Sequence, residues 1–394
     1  MALSSRTVPK SPFSSSLAAP GYGNVVLSLL PPSTPTLSTL TFQYPLKLMT
    51  RKAKDFDPDE TKAGVAAVTP VHLYLLTYGG GLLPGDRIDV KIALRPRTRL
   101  VITTPQGSTK IYKTNPGGVE GIGGRGANGG LVVRGSGDEP SRQILDVNVE
   151  KGAALCYLPD PSVPYRDSAY EQVQVFTVDE AVLKGGRDAS GGGGSSSKSS
   201  VCILDWVTQG RAACGEDWDF HLWKGKNEVW TKSRDGKRRL LLRDSVILDD
   251  GTRRRRDTTT SSEKEETEPS TSIRNQTSPH GIVGTFILHG PIFEPVGSFF
   301  MKEFTSQPRI GGRDWSSPKS SNKTVGKEPP SKEKQNRRGD QDVTWTAAHV
   351  RSSFVLVKFG AKDFESARDW LGGMLREEGT VAREFGEEAL ACLR

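Results

Sequence analysis

Apolar and polar residues alternate with period two over Ile88–Leu94, where Ile88, Val90, Ile92 and Leu94 are separated by Asp89, Lys91 and Ala93. Successive side chains of a strand point to opposite faces, so this alternation predicts a half-buried β-strand. Short β-branched or aromatic runs follow, bounded by Pro, Gly or Asp: Arg99–Thr104, Ala153–Leu158, Glu171–Val178, Val201–Thr208, Trp218–Trp223, Leu240–Leu248, Gly281–Leu288 and Ser353–Phe359. With turn residues between them, these runs predict a mostly β architecture. Helical periodicity is clear only near the end, where Asp363 can cap a helix whose Phe364, Ala367, Leu371, Met374 and Leu375 share one face. Gly372 and Gly373 weaken that helix, and a second short one is predicted from Glu294 to Phe304.

Between these elements lie stretches with little to bury. Residues 184–200 are Gly/Ser-rich, 249–280 and 313–342 are charged and hydroxyl-rich, and 115–130 is crowded with glycine. Such composition does not recover the entropy lost on ordering, so these four read as low-complexity surface insertions. The expected organisation is a disordered tail over 1–20 and a single β domain over 21–394 that carries the insertions. The Ser-rich, acid-free start has no apolar segment of the secretory kind.

Composition narrows the function. The chain has 394 residues and a net charge of +8. All six basic residues of 1–54 stand there without an acid, and 313–340 holds eight basic residues against four acidic ones. The body is therefore close to neutral, whereas nucleic-acid recognition calls for basic residues organised on a folded face. No apolar run is long enough to span a bilayer. Cys156, Cys202, Cys214 and Cys392 form no C-x-x-C pair, and read as buried thiols of a reducing compartment, which predicts a cytoplasmic protein.

Catalytic signatures are missing from the sequence. Gly121–Gly126 matches G-x-G-x-x-G, but Ala127-Asn-Gly-Gly130 follows it where a dinucleotide site needs a helix. There is no phosphate-binding loop of the G-x-x-x-x-G-K-[ST] type and no G-x-S-x-G. The five histidines are too far apart for an H-x-x-x-H ligand pair. The segment Leu204–Glu216 is denser in chemistry. An acid inside the apolar run at Asp205 is costly unless it is paired or faces a polar path, and Arg211 offers a guanidinium partner whose pair with a carboxylate would merely tie a turn.

Taken together, the segments resemble the urease accessory protein D family, called H in some bacteria. The resemblance rests on Thr41–Leu48, Tyr78-Gly-Gly-Gly-Leu-Leu-Pro-Gly-Asp86, Thr103–Tyr112, Tyr157-Leu-Pro-Asp160 and Leu204–Glu216. Pro308–Trp315 and Trp370–Leu393 look like the fungal branch, and the insertions are absent from compact bacterial relatives. The resemblance implies a β-helix-like stack of strands with a few helices, and a scaffold rather than an enzyme. It also implies urease maturation: bridging apo-urease and the accessory proteins F and G (the latter a GTPase), and passing nickel through an internal passage with no tightly bound cofactor. A passage has to release its ion, so oxygen ligands suit it better than a histidine cluster. Asp160, Asp205 and Glu216 are the candidate carboxylates. The rival reading is a β-rich module whose basic loops, Arg253–Arg256 and 313–340, contact nucleic acid.

Overall fold

The computed structural model describes residues 19–52, 68–104, 109–114, 139–179, 198–232, 237–250, 272–307 and 342–394. The expectations for 1–18, 115–130, 184–197, 251–271 and 313–341, together with the Gly121–Gly126 loop, Arg253–Arg256 and Pro308–Trp315, lie outside these residues.

Strands β1 (Tyr22–Leu30) and β2 (Thr34–Phe42) pair antiparallel, and β3 (Leu46–Lys52) pairs antiparallel with β4 (Val71–Thr77). From β4 the chain repeats a circuit: a strand in one sheet, a two-residue corner strand, then a strand in the opposite sheet. The circuits are β4, β5 (Gly81–Leu82) and β6 (Arg87–Leu94), followed by β7 (Arg99–Thr103), β8 (Lys110–Ile111) and β9 (Ser141–Val149). Next come β10 (Ala154–Tyr157), β11 (Val163–Pro164) and β12 (Ala169–Val178), and then β13 (Ser200–Thr208) and β14 (Leu222–Lys232), joined by a turn. Equivalent strands of successive circuits pair in parallel, so the chain winds a β-helix-like stack. Strand β15 (Arg238–Asp249) continues the first sheet antiparallel to β14. In the second sheet, β16 (Ile282–His289), β17 (Val343–Val350) and β18 (Phe354–Ala361) add in the order β13-β16-β18-β17, all antiparallel.

Among the described residues four α-helices accompany the sheets: α1 (Ile273–Thr277), α2 (Glu294–Thr305), α3 (Phe364–Glu378) and α4 (Thr380–Phe385). One apolar cluster fills the space between the two sheets, and another lies between the second sheet and α2, α3 and α4. Strand β13 serves both. Its Val201, Ile203 and Val207 face the opposite sheet, whereas Cys202, Leu204 and Trp206 face the helices. A strand covered on both sides reads as a continuous apolar run, and the sequence of β13 does.

The predicted C-terminal helix is present. The Asp363 carboxylate accepts from the Ser366 amide at 2.8 Å, and Gly379 ends the helix in the left-handed region at φ 85°. Its two internal glycines are not equivalent. A Cβ at Gly372 would lie 2.5 Å from the Leu393 carbonyl oxygen, so this glycine lets the C-terminal segment dock. A Cβ at Gly373 would meet nothing within 4 Å. Gly372→Ala is expected to lower stability by about 1–3 kcal/mol through overpacking. Gly373→Ala is expected to raise it by about 0.5–1 kcal/mol through helix propensity. Denaturant unfolding of the two variants checks both signs.

Three expectations change on the structure. Of the four thiols expected to be buried, Cys214 is exposed on the turn after Arg211, while Cys156, Cys202 and Cys392 are buried. The run Trp218–Trp223 is not one strand: Trp218 sits at φ 61°, which an extended strand cannot contain, and β14 begins at Leu222. Within 249–280, residues 272–280 contain α1, whose Ile273 is buried in the inter-sheet core.

Candidate functional site: a buried carboxylate between the sheets

Asp205 stands between Ile203 and Val207 on the inward face of β13, the acid among apolar neighbours, and the register explains its company. On the second sheet Asp205, Thr285 of β16 and Lys358 of β18 are cross-strand neighbours. On the first sheet Gln174 of β12, Asn227 of β14 and Asp244 of β15 form a second row. The rows bond across the gap. Asn227 Nδ2 donates to Asp205 Oδ2 at 2.7 Å, and Gln172 Nε2 donates to Asp205 Oδ1 at 3.0 Å. Tyr170 donates in turn to Gln172 Oε1 at 3.1 Å. Thr285 Oγ1 donates to Asp244 Oδ2 at 3.1 Å, and Lys358 Nζ pairs with Asp244 Oδ1 at 2.7 Å.

Asp205 is 7 % exposed. Burial disfavours its charged form and raises its pKa from 3.8 to about 6. The Asn227 and Gln172 amides limit that rise, the Asp244 charge adds to it, and the Lys358 ammonium opposes it. Gly225 makes room for the group: a Cβ there would lie 2.4 Å from the Trp223 ring and 3.1 Å from Asp205 Oδ2. Three amide oxygens of the inter-sheet layer, on Gln143, Gln174 and Asn227, are buried without a hydrogen-bond partner. Unmatched acceptors at such depth are costly in a core and useful on a path for cations.

A cavity of about 280 Å³ adjoins Asp205 and is walled by Trp223, Thr285, Phe359, Lys358 and His280 among others. Gln276 and Thr277 of α1 line it as well, so residues assigned from sequence to an insertion supply part of its wall.

The other two candidates lie in different surroundings. Glu216 is bound by Arg211: the Arg211 amide donates to Oε2 at 2.8 Å and Arg211 Nε to Oε1 at 3.0 Å, with a further contact from the second guanidinium nitrogen. Arg211 also stacks 3.9 Å over the Tyr165 ring. Burial alone would raise the Glu216 pKa, but the hydrogen bonds from the Arg211 side chain and from the Arg211 and Arg166 amides outweigh it and hold it below the usual range. The Arg–carboxylate pair that ties this turn therefore joins Arg211 to Glu216. Asp160 lies past the end of β10, half-buried, its amide donating to Thr104 Oγ1 at 2.7 Å. Burial, and then the charge of Asp160, push the nearby Cys392 thiol well up.

Gln172, Asn227, Thr285, Asp244 and Lys358 do not stand out in the sequence as site candidates. A signal for the first existed: Tyr170, Gln172, Gln174 and Phe176 share one face of β12, so its amides stand in phase with its large aromatics.

Among the described residues no helix is long and apolar enough to cross a membrane. A sequence model of the family described as UreD urease accessory protein matches residues 23–391. The chain is 27 % identical over 359 residues to "Urease accessory protein 4" of Cryptococcus neoformans var. grubii, covering 88 % of each. It is 26 % identical over 332 residues to an "Uncharacterized urease accessory protein ureD-like" of Schizosaccharomyces pombe, covering 84 % of each. With "Urease accessory protein D" of Arabidopsis thaliana it shares 30 % identity over 195 residues, half of each chain. A family match across nearly the whole described fold, joined by relatives of near-equal length, fixes the assignment: the chain belongs to the UreD urease accessory protein family.

Proposed function

We propose that this protein is a non-catalytic urease maturation factor that bridges apo-urease and the accessory proteins F and G, and that nickel in transit to the urease active site passes between its two sheets. The observation that carries the reading is the Asp205 carboxylate, buried at the meeting of two facing polar rows and next to a cavity. A conduit needs ligands that hold an ion without trapping it, and the layer supplies carboxylate, carboxamide and hydroxyl oxygens at several depths. Burial raises the Asp205 pKa to about 6, so near neutral pH the carboxylate exchanges a proton for a cation at little cost. Glu216 has its acceptors engaged by Arg211 and shapes the turn below β13, and Asp160 stands toward the C-terminal segment as a further oxygen ligand on the way out.

The test is nickel content per urease in cells carrying Asp205→Asn, read together with soluble abundance and complex formation. The variant keeps the shape and drops the charge, so it is expected to fold, to join its accessory partners and to yield urease with less nickel. Full nickel loading by a stable, abundant Asp205→Asn protein would remove the residue from the route.

A further inference from the structure

We propose that the Lys358 ammonium is a tethered cation that fills the outer end of this polar path, and that a divalent cation reaches Asp205 only by displacing it. The inference rests on the reading of Asp205 as part of a cation route. Lys358 belongs to the row Asp205–Thr285–Lys358 and pairs with Asp244 at 2.7 Å, while its Nζ lies 3.5 Å from Thr285 Oγ1. Its side chain is 42 % exposed, whereas that of Asp244 is 10 % exposed. The lysine can therefore swing into water on its flexible stem, but the carboxylate it covers cannot follow. Leaving Asp244 uncovered is strongly unfavourable, so the lysine leaves only when another cation arrives.

The arrangement discriminates by charge. A monovalent ion would exchange one positive charge for another and lose its hydration. A divalent ion offers two charges to two carboxylates, Asp205 and Asp244, whose fields already reinforce each other. The orphaned Asn227 oxygen, on the same carboxamide that holds Asp205, gives the ion a neutral ligand deeper in. The substrate class is thus a divalent, oxygen-accepting cation, and Lys358 acts as a positioning and selectivity residue.

The full-length chain can be treated with an amine-acylating reagent, with Lys358 modification read by mass spectrometry, in the presence of nickel(II) or potassium. Nickel is expected to raise Lys358 labelling several-fold in the parent protein, potassium to leave it unchanged, and Asp205→Asn to abolish the nickel response. In calorimetric titration, Lys358→Met is expected to bind nickel about tenfold more tightly, because one competing charge is gone. If Lys358→Met folds poorly, the Lys358→Met, Asp244→Asn pair restores local neutrality, and the labelling result on the parent chain still decides. Unchanged labelling with nickel, while Asp205→Asn still weakens nickel binding, overturns the gate and leaves the route standing. Equal nickel binding by the parent and Asp205→Asn overturns the route and the gate together.

Discussion

Asp205→Asn is expected to be more stable than the parent protein at pH 8, by about 3 kcal/mol at most, and to have little advantage at pH 4. The folded-state pKa of Asp205 is about 6 against 3.8 when unfolded. A carboxylate raised in this way favours the folded state fully below its unfolded pKa, and that contribution is lost as pH rises through the folded one. Its window is therefore about pH 4 to 6. Asparagine does not titrate, so the difference between variant and parent grows across that window and is flat above it. The substituted amide would face the donor of Asn227, and a flip of Asn227 brings its unpartnered oxygen into place. Urea midpoints of both proteins at pH 4, 6 and 8 read the difference directly. A pH-independent gap would show that Asp205 is charged without penalty. Gained stability alongside lost nickel would be the behaviour of a group kept for function at the expense of the fold.

Trp370→Ala is expected to lower stability by about 3–5 kcal/mol. Trp370 is 1 % exposed on α3 and sits among Trp345 of β17, Phe359 of β18 and Phe300 of α2, with ring centroids at 5.4, 5.3 and 6.3 Å. Deleting the indole opens a void among rings that cannot collapse without unstacking each other. Trp370→Phe, which keeps one ring in the space, should lose less, and chemical denaturation of the two variants gives both values. A loss near 1 kcal/mol for Trp370→Ala would mean the C-terminal helices are only loosely seated on the second sheet.

How far the fold can be read from sequence depended on which residues a strand exposes. Strand β6 alternates cleanly because one face meets the core, and α3 carries both its Asp363 cap and its apolar stripe. Strand β2, with the sequence TPTLSTLTF, is an edge strand whose Thr, Ser and Pro mask the alternation, and it and its neighbours β1, β3 and β4 left no clear run. The stack itself was not legible from periodicity, because parallel pairing joins strands tens of residues apart. It came from the resemblance. At the site, Asp205 was visible as an acid in an apolar run, but its partners were not. In β12 the usual phase is inverted: Gln172 and Gln174 are buried while Val173 and Val175 are partly exposed. An alternation rule places those glutamines in water. These polar side chains occupy core positions, so a rule built on apolar cores misses them.

A coil of parallel strands has open ends, and an open end is a template on which another coil could be laid. Here the two large sheets end antiparallel on both sides, with β2 and β15 bounding the first and β3 and β17 the second, and only the short corner ladder β5-β8-β11 is parallel to its ends. A further turn of the same coil would therefore have to add beside a strand of opposite sense to its own. Pro35 removes an amide donor from β2, and Arg238, Arg239 and Arg243 put charge along β15. The same strands that finish the two large sheets thus also blunt their edges, a role separate from closing the core.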